Sequence, residues 1–201
     1  MNKIIFLDVD TQYDFMHKNG RFYVAGAESI ILNLKKITDF AKKNMVRVVA
    51  SKDNCIRNNS CANPKTLQGQ SIRLFNSYHK IPETMMTNFF NVPNKKLSET
   101  KAIQIKEKNR LLIEKEGHSI FSNPNLKSIV KGTEKAYVYG VATDYCVKAA
   151  VLGLRDMGIK TYVVKDAIKP VFKKNEKKDL ALFKKKGAKF LTTKQLLKKK
   201  F

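Results

Sequence analysis

Short apolar, β-branched runs alternate along this chain with longer stretches whose apolar residues recur at helical spacing. Residues 3–9 (KIIFLDV) read as a buried strand. From 27 to 43, Ile30, Ile31, Leu34, Ile37 and the Phe40–Ala41 pair share one face of a helix, since positions three and four apart stack on the same side. Strand character returns at 46–50 (VRVVA), 110–114 (RLLIE), 136–141 (AYVYGV), 160–165 (KTYVVK) and briefly at 188–191. A helix is predicted from about 143 to 157, stopped by Gly158, which suits a left-handed C-terminal turn. A second helix is predicted near 175–186, with a helical tail after the last strand. Residues 52–105, rich in Asn, Ser and Pro, carry no period and are read as a long irregular region.

Strands with apolar centres, separated by helices, predict a parallel sheet covered on both faces. The fold class is therefore α/β, one three-layer α/β/α domain over 1–201 with a mainly parallel, Rossmann-like sheet of five or six strands. A chain of 201 residues is long enough for one such core and short for two. Ligands of these sheets bind beyond the carboxyl ends of the strands, where strand order reverses. Asp8 and Asp10 close the first strand, Asp53 follows the second, Lys115 ends the third and Cys146 opens the helix after the fourth. All lie at that edge.

Charge alters this picture little. There are 40 Lys and Arg against 17 Asp and Glu, a net +23, with 43% hydrophobic residues. The excess is mostly lysine and is spread along the chain, without clustered arginine or interleaved aromatics, so nucleic acid is not the expected partner. Its densest part, 173–201, sets twelve lysines against Glu176 and Asp179 and reads as a solvated face and tail, contact with a polyanion being the lesser alternative. Three cysteines, Cys55, Cys61 and Cys146, form no disulfide framework. With no signal-like start and no apolar run near the ~20 residues that span a bilayer, a cytoplasmic protein with no membrane partner is expected.

Cys146 lies in Gly140-Val141-Ala142-Thr143-Asp144-Tyr145-Cys146-Val147, where a strand gives way to a helix. Helix-terminal N–H groups favour a thiolate and can hold an oxyanion, so its pKa is expected below that of a free thiol. A small buried core cysteine is the alternative. Lys115, after an apolar strand, can lower a thiol's pKa; otherwise it is one more surface lysine. Asp10 can take a thiol's proton and pass it to a leaving amine; either Asp8 or Asp10 can instead serve only backbone N–H groups at the loop. His17 and His118 read as surface loop residues.

Three motifs in order then resemble one family. Asp10-Thr11-Gln12-Tyr13-Asp14-Phe15 resembles the D-x-Q-x-D-F opening of the isochorismatase-like cysteine hydrolases; Ile113-Glu114-Lys115 ahead of Phe121-Ser122-Asn123-Pro124-Asn125-Leu126 is similar to nicotinamidase-type members; and the Cys146 segment looks like their nucleophile loop. The resemblance implies Cys146 as nucleophile, Asp10 as proton shuttle and Lys115 as electrostatic partner. It also implies a cis peptide at Val141–Ala142, an oxyanion hole from the Ala142 and Cys146 N–H groups, and Phe15 as a substrate contact. Where nicotinamidases carry D-x-H and two later histidines, this chain has Asp53-Asn54-Cys55 and then His79, with Asn76 at the ring-stacking position. Asp53, Cys55 and His79 are an acceptable set for zinc, manganese or iron, although the covalent chemistry requires no cofactor. The leading expectation is a nicotinamidase, a homo-oligomer acting on a small amide through a thioester. The alternatives are a metal-free sibling amidase acting on another amide or ureide, and a catalytically silent binding subunit.

Overall fold

A computed structural model describes residues 3–54 and 79–201. Seven strands form one sheet: β1 (Ile4–Val9), β2 (Arg47–Asp53), β3 (Phe90–Val92), β4 (Arg110–Lys115), β5 (Lys135–Val141), β6 (Lys160–Lys169) and β7 (Lys189–Leu191). Their spatial order is β3-β4-β2-β1-β5-β6-β7, and every pairing is parallel. The helices are α1 (Tyr13–Met16), α2 (Ile31–Lys43), α3 (Glu99–Lys106), α4 (Leu126–Val130), α5 (Lys148–Asp156), α6 (Glu176–Lys185) and α7 (Thr193–Leu196). Among the described residues no helix is long and apolar enough to cross a membrane.

Strand alternation sorts the core into two layers. On one face Ile5, Leu7, Val9, Val49, Ile113 and Val138 pack against Val147, Ala150, Val151 and Leu154 at and within α5. On the other, Phe6, Val48, Ala50, Tyr137 and Tyr139 meet Leu34, Ile37 and Ala41 of α2 and Leu196 of α7. The expected three-layer fold is present, with seven strands rather than five or six. The additional strand, β3, and helix α3 fall inside the region read as irregular. Three residues are too few to display an alternation, and β3 is recognisable only through its register with β4, Phe90 opposite Leu111.

Strand order reverses between β1 and β5, which sit side by side at the centre. The two come very close at their carboxyl ends. Gly140 has φ 112°, and a Cβ there would lie 2.0 Å from the Val9 carbonyl oxygen, so any side chain would drive the strands apart. Two further strands run past their predicted ends: β2 continues through the buried Ser51, Lys52 and Asp53, and β6 extends to Lys169. Polar residues at a functional edge mask strand character that the backbone nevertheless keeps.

Candidate active site

Lys115 ends β4 directly opposite Asp53 of β2, so the two side chains leave the same face as neighbours. Lys115 Nζ lies 2.9 Å from Asp53 Oδ2 and 2.9 Å from Asp10 Oδ2. It also donates to the Gly117 carbonyl at 2.6 Å and reaches Cys146 Sγ at 3.7 Å. Ligating atoms of Asp10, Asp53 and Cys146 all lie within 4.8 Å of one another. Thus the structure brings together Asp10, Lys115 and Cys146, and adds Asp53 to them.

Asp10 arrives there by a backbone reversal. Continued alternation would place it on Asp8's face, but its φ is 48°, a left-handed conformation that aspartate tolerates better than most residues. The carboxylate turns instead toward β2, where the Ser51 hydroxyl donates to Asp10 Oδ1 at 2.6 Å and accepts the Asp10 N–H at 3.1 Å. Ser51 carried no signal in the sequence, lying one residue beyond the strand predicted at 46–50. Asp8 stays behind, paired with Lys80.

Cys146 lies in a turn of π-helix, Thr143–Val147, that leads into α5. The Ala142 carbonyl accepts from the Tyr145 and Val147 N–H groups at 3.1 and 3.0 Å, and the Val141–Ala142 peptide is cis. Asp144 fastens this turn to the exit of β6: its two oxygens accept the Val171 and Phe172 N–H groups, each at 2.9 Å. Beside the thiol, Tyr145 packs against the His118 ring at 4.9 Å and that of Phe172 at 6.4 Å. His118, read as a plain surface residue, is exposed but packs against Tyr145, the neighbour of Cys146. Phe15, on α1, is half-buried against Phe22.

Burial opposes the Lys115 charge, yet Asp10, the thiol and Asp53 together hold its pKa far above the ordinary lysine value. Cys146 moves the other way from expectation. Burial and the Asp10 carboxylate raise its pKa well above that of a free thiol, and Lys115 only partly offsets them. The helix-terminal argument fails because desolvation and a facing carboxylate outweigh a partial dipole charge. At rest the group is a protonated thiol with an acceptor beside it.

The cluster of Asp10, Asp53 and Cys146 does not suit a metal, because the Lys115 ammonium already supplies the cation among them. The predicted set is different. Cys55 lies outside the described residues. Asp53 and His79 share a rim through Gln12, whose side chain accepts the Asp53 N–H at 2.6 Å while the Tyr13 N–H donates to the His79 carbonyl at 3.0 Å. Burial and the nearby Lys52 lower the His79 pKa, which favours the neutral imidazole that ligation requires. A carboxylate and an imidazole are donor types that a divalent ion accepts, but Asp53 Oδ2 is already held by Lys115, and among the described residues no group of three ligating side chains includes His79.

Comparison with known proteins identifies the family and the fold. The family model for the isochorismatase domain matches residues 5–195. Among solved structures, the zinc complex of a pyrazinamidase from Pyrococcus horikoshii superposes with a TM-score of 0.69 at 22% identity, covering 94% of this chain and 99% of that one. A nicotinamidase from Bacillus subtilis follows at 0.67 and 19%, covering 94% and 98%. An N-carbamoylsarcosine amidase from Thermoplasma acidophilum reaches 0.65 and 19%, covering 94% and 96%. At such identities these likenesses establish the fold. No curated protein matches the sequence.

Proposed function

This chain belongs to the isochorismatase family of hydrolases, and on that premise we propose that it is a cysteine-dependent amidohydrolase with Asp10, Lys115 and Cys146 as its catalytic residues. The observation that carries the reading is the arrangement around sulfur: a buried thiol, a carboxylate within 4.8 Å of it, and an ammonium at 3.7 Å. A thiol so placed needs a local base to become a nucleophile, and Asp10 is that base.

The sulfur attacks the amide carbonyl as its proton passes to Asp10. The oxyanion is met by the Ala142 and Cys146 N–H groups. Collapse breaks the C–N bond; Asp10 returns the proton to the departing nitrogen, ammonia leaves, and a thioester remains. Water then adds to the thioester with Asp10 as base, which frees the acid and restores the thiol. Throughout, Lys115 holds Asp10 in place and balances the charge that the carboxylate gains and loses.

Nicotinamide is the leading substrate, with Phe15 as a contact for its ring, in a cytoplasmic homo-oligomer. A divalent ion on Asp53 and His79, with Cys55 third, would supply a Lewis-acidic anchor for a ring nitrogen. A second reading, a metal-free amidase for a carbamoyl compound or ureide, draws support from Lys115, whose ammonium meets the thiol and both carboxylates. The test is an ammonia-release screen over nicotinamide, pyrazinamide, carbamoyl amino acids and ureides, with and without added zinc, manganese or iron. Release by the wild-type protein and none by Cys146→Ala is the expected result. Equal release by both would refute the reading.

A further inference from the structure

Behind the thiol site, on the opposite face of β1, a second ion pair is buried. Lys80 Nζ lies 3.0 Å from Asp8 Oδ2, with the side chains 0% and 2% exposed. The Thr11 hydroxyl donates to Asp8 Oδ1 at 2.9 Å and lies 2.7 Å from the Thr84 hydroxyl. Asp8 is also the β1 neighbour of Tyr139 on β5, whose buried phenol has no hydrogen-bond partner among the described residues. The proposed reaction uses none of these groups.

A buried ion pair adds little net stability over well-packed apolar residues, because desolvating two charges cancels most of their attraction. What it does supply is a unique placement. Residues 79–81 run antiparallel to 11–13 over a short stretch, with a bridge between Gln12 and Lys80 and the Tyr13 N–H to His79 and Ile81 N–H to Thr11 bonds at 3.0 and 2.9 Å. So short a pairing is weakly specified by its backbone, and a slip of one residue exchanges the two sides. Lys80 admits one register, since any other leaves Asp8 buried without its counter-charge. Gln12 stands between this pairing and the chemistry. Its side chain accepts the Asp53 N–H at 2.6 Å and donates to the Asp53 carbonyl at 3.3 Å, and the Asp53 carboxylate, like that of Asp10, meets Lys115.

We propose that Asp8 and Lys80 are positioning residues for the thiol site: their ion pair fixes the register of residues 79–81 on 11–13 and, through Gln12, holds the Asp53 carboxylate on Lys115. The proposal rests on the amidohydrolase reading for its effect on turnover, but not for its effect on the site itself.

The informative variant is the double substitution Asp8→Asn with Lys80→Met, which removes both charges, keeps the Thr11 bond and leaves no lone ion. Its melting temperature should equal or exceed that of the wild type. On the best amide from the ammonia screen, kcat should fall at least tenfold with KM within twofold. A pair that serves stability alone would leave kcat within twofold of wild type once melting behaviour is restored, and that result overturns the proposal. Asp8→Glu, which keeps both charges but lengthens one arm, is measured in parallel and should lower kcat about threefold with the fold retained; unchanged kcat there also counts against register control. If the wild-type protein releases no ammonia from any amide, the amidohydrolase reading fails and iodoacetamide decides the positioning role. Alkylation of Cys146 at pH 8, followed by peptide mass spectrometry, should be at least threefold faster in the double variant, since Lys115 released from Asp53 attends the thiol more closely. An unchanged rate would dismiss it.

Discussion

Asp8 and Asp10, two positions apart at the end of β1, send their carboxylates to opposite faces of the sheet and to different lysines. Asp8 meets Lys80 at 3.0 Å and Asp10 meets Lys115 at 2.9 Å. Regular alternation would have paired them on one face. The left-handed backbone of Asp10 separates them, and with it the residue that faces sulfur from the one that faces the far core.

Burial and the Asp10 carboxylate together raise the Cys146 pKa, and in the proposed mechanism Asp10 also takes its proton, which makes one substitution informative. Asp10→Asn removes a carboxylate that raises the thiol pKa while leaving Lys115 beside the sulfur. Iodoacetamide should therefore label Cys146 faster at neutral pH than in the wild type. Ammonia release should fall by ~10²–10⁴, the usual contribution of a positioned acid–base group. Labelling and turnover moving down together would refute the shuttle role.

The raised thiol pKa also predicts a dependence of stability on pH. The folded protein keeps the Cys146 proton to higher pH than the unfolded chain, so this group's contribution is complete below the free-thiol value of 9.0. It is lost as pH rises through the folded value. Under reducing conditions, melting temperatures from pH 8 to 10.5 should decline more steeply for wild type than for Cys146→Ala. Parallel curves would contradict the shift.

Asp144 supports the nucleophile turn through two backbone N–H groups, at Val171 and Phe172, both at 2.9 Å. Asp144→Ala strands both donors. Because the carboxylate is buried, urea denaturation should register a loss of about 2–4 kcal/mol, within the range for unsatisfied buried groups. A loss below about 0.5 kcal/mol, the level of an ordinary surface substitution, would mean that the β6 exit does not depend on this clamp.

For the nicotinamidase reading, elemental analysis of protein purified without chelator should find about one divalent ion per chain, as expected for a single site of this kind. Asp53→Asn and His79→Ala should each empty it. A metal-free protein that still releases ammonia from a ureide would favour the sibling amidase.

The layered fold was legible because buried parallel strands write themselves as unbroken apolar runs, as in residues 3–9 and 136–141. The three residues of β3 could not announce themselves that way. Cys146 stood out by its place between strand and helix, whereas Lys115, one of many lysines, was marked only by its place at a strand's carboxyl end until the family resemblance gave it a role. The Asp8–Lys80 pair was illegible for a similar reason: which of two carboxylates meets which of two lysines depends on one backbone angle at Asp10. The direction of the thiol's pKa was misread because sequence reveals a helix start but not the carboxylate and the burial that oppose it.

Each central strand contributes to the reactive cluster. Lys115 comes from β4, Ser51 and Asp53 from β2, Asp10 from the end of β1, and Cys146 from the turn after β5. The clustered groups are therefore set by the buried centre of the sheet, while His118 and Phe172, which pack on Tyr145, belong to the segments between elements. Such a division separates two kinds of heritable change. Loops can lengthen, shorten or exchange side chains and so alter which substrate enters, without disturbing the groups that the strands hold together. A change of reaction, by contrast, demands altered residues on several neighbouring strands at once. Diversification in a protein built this way runs toward new substrates before new chemistry.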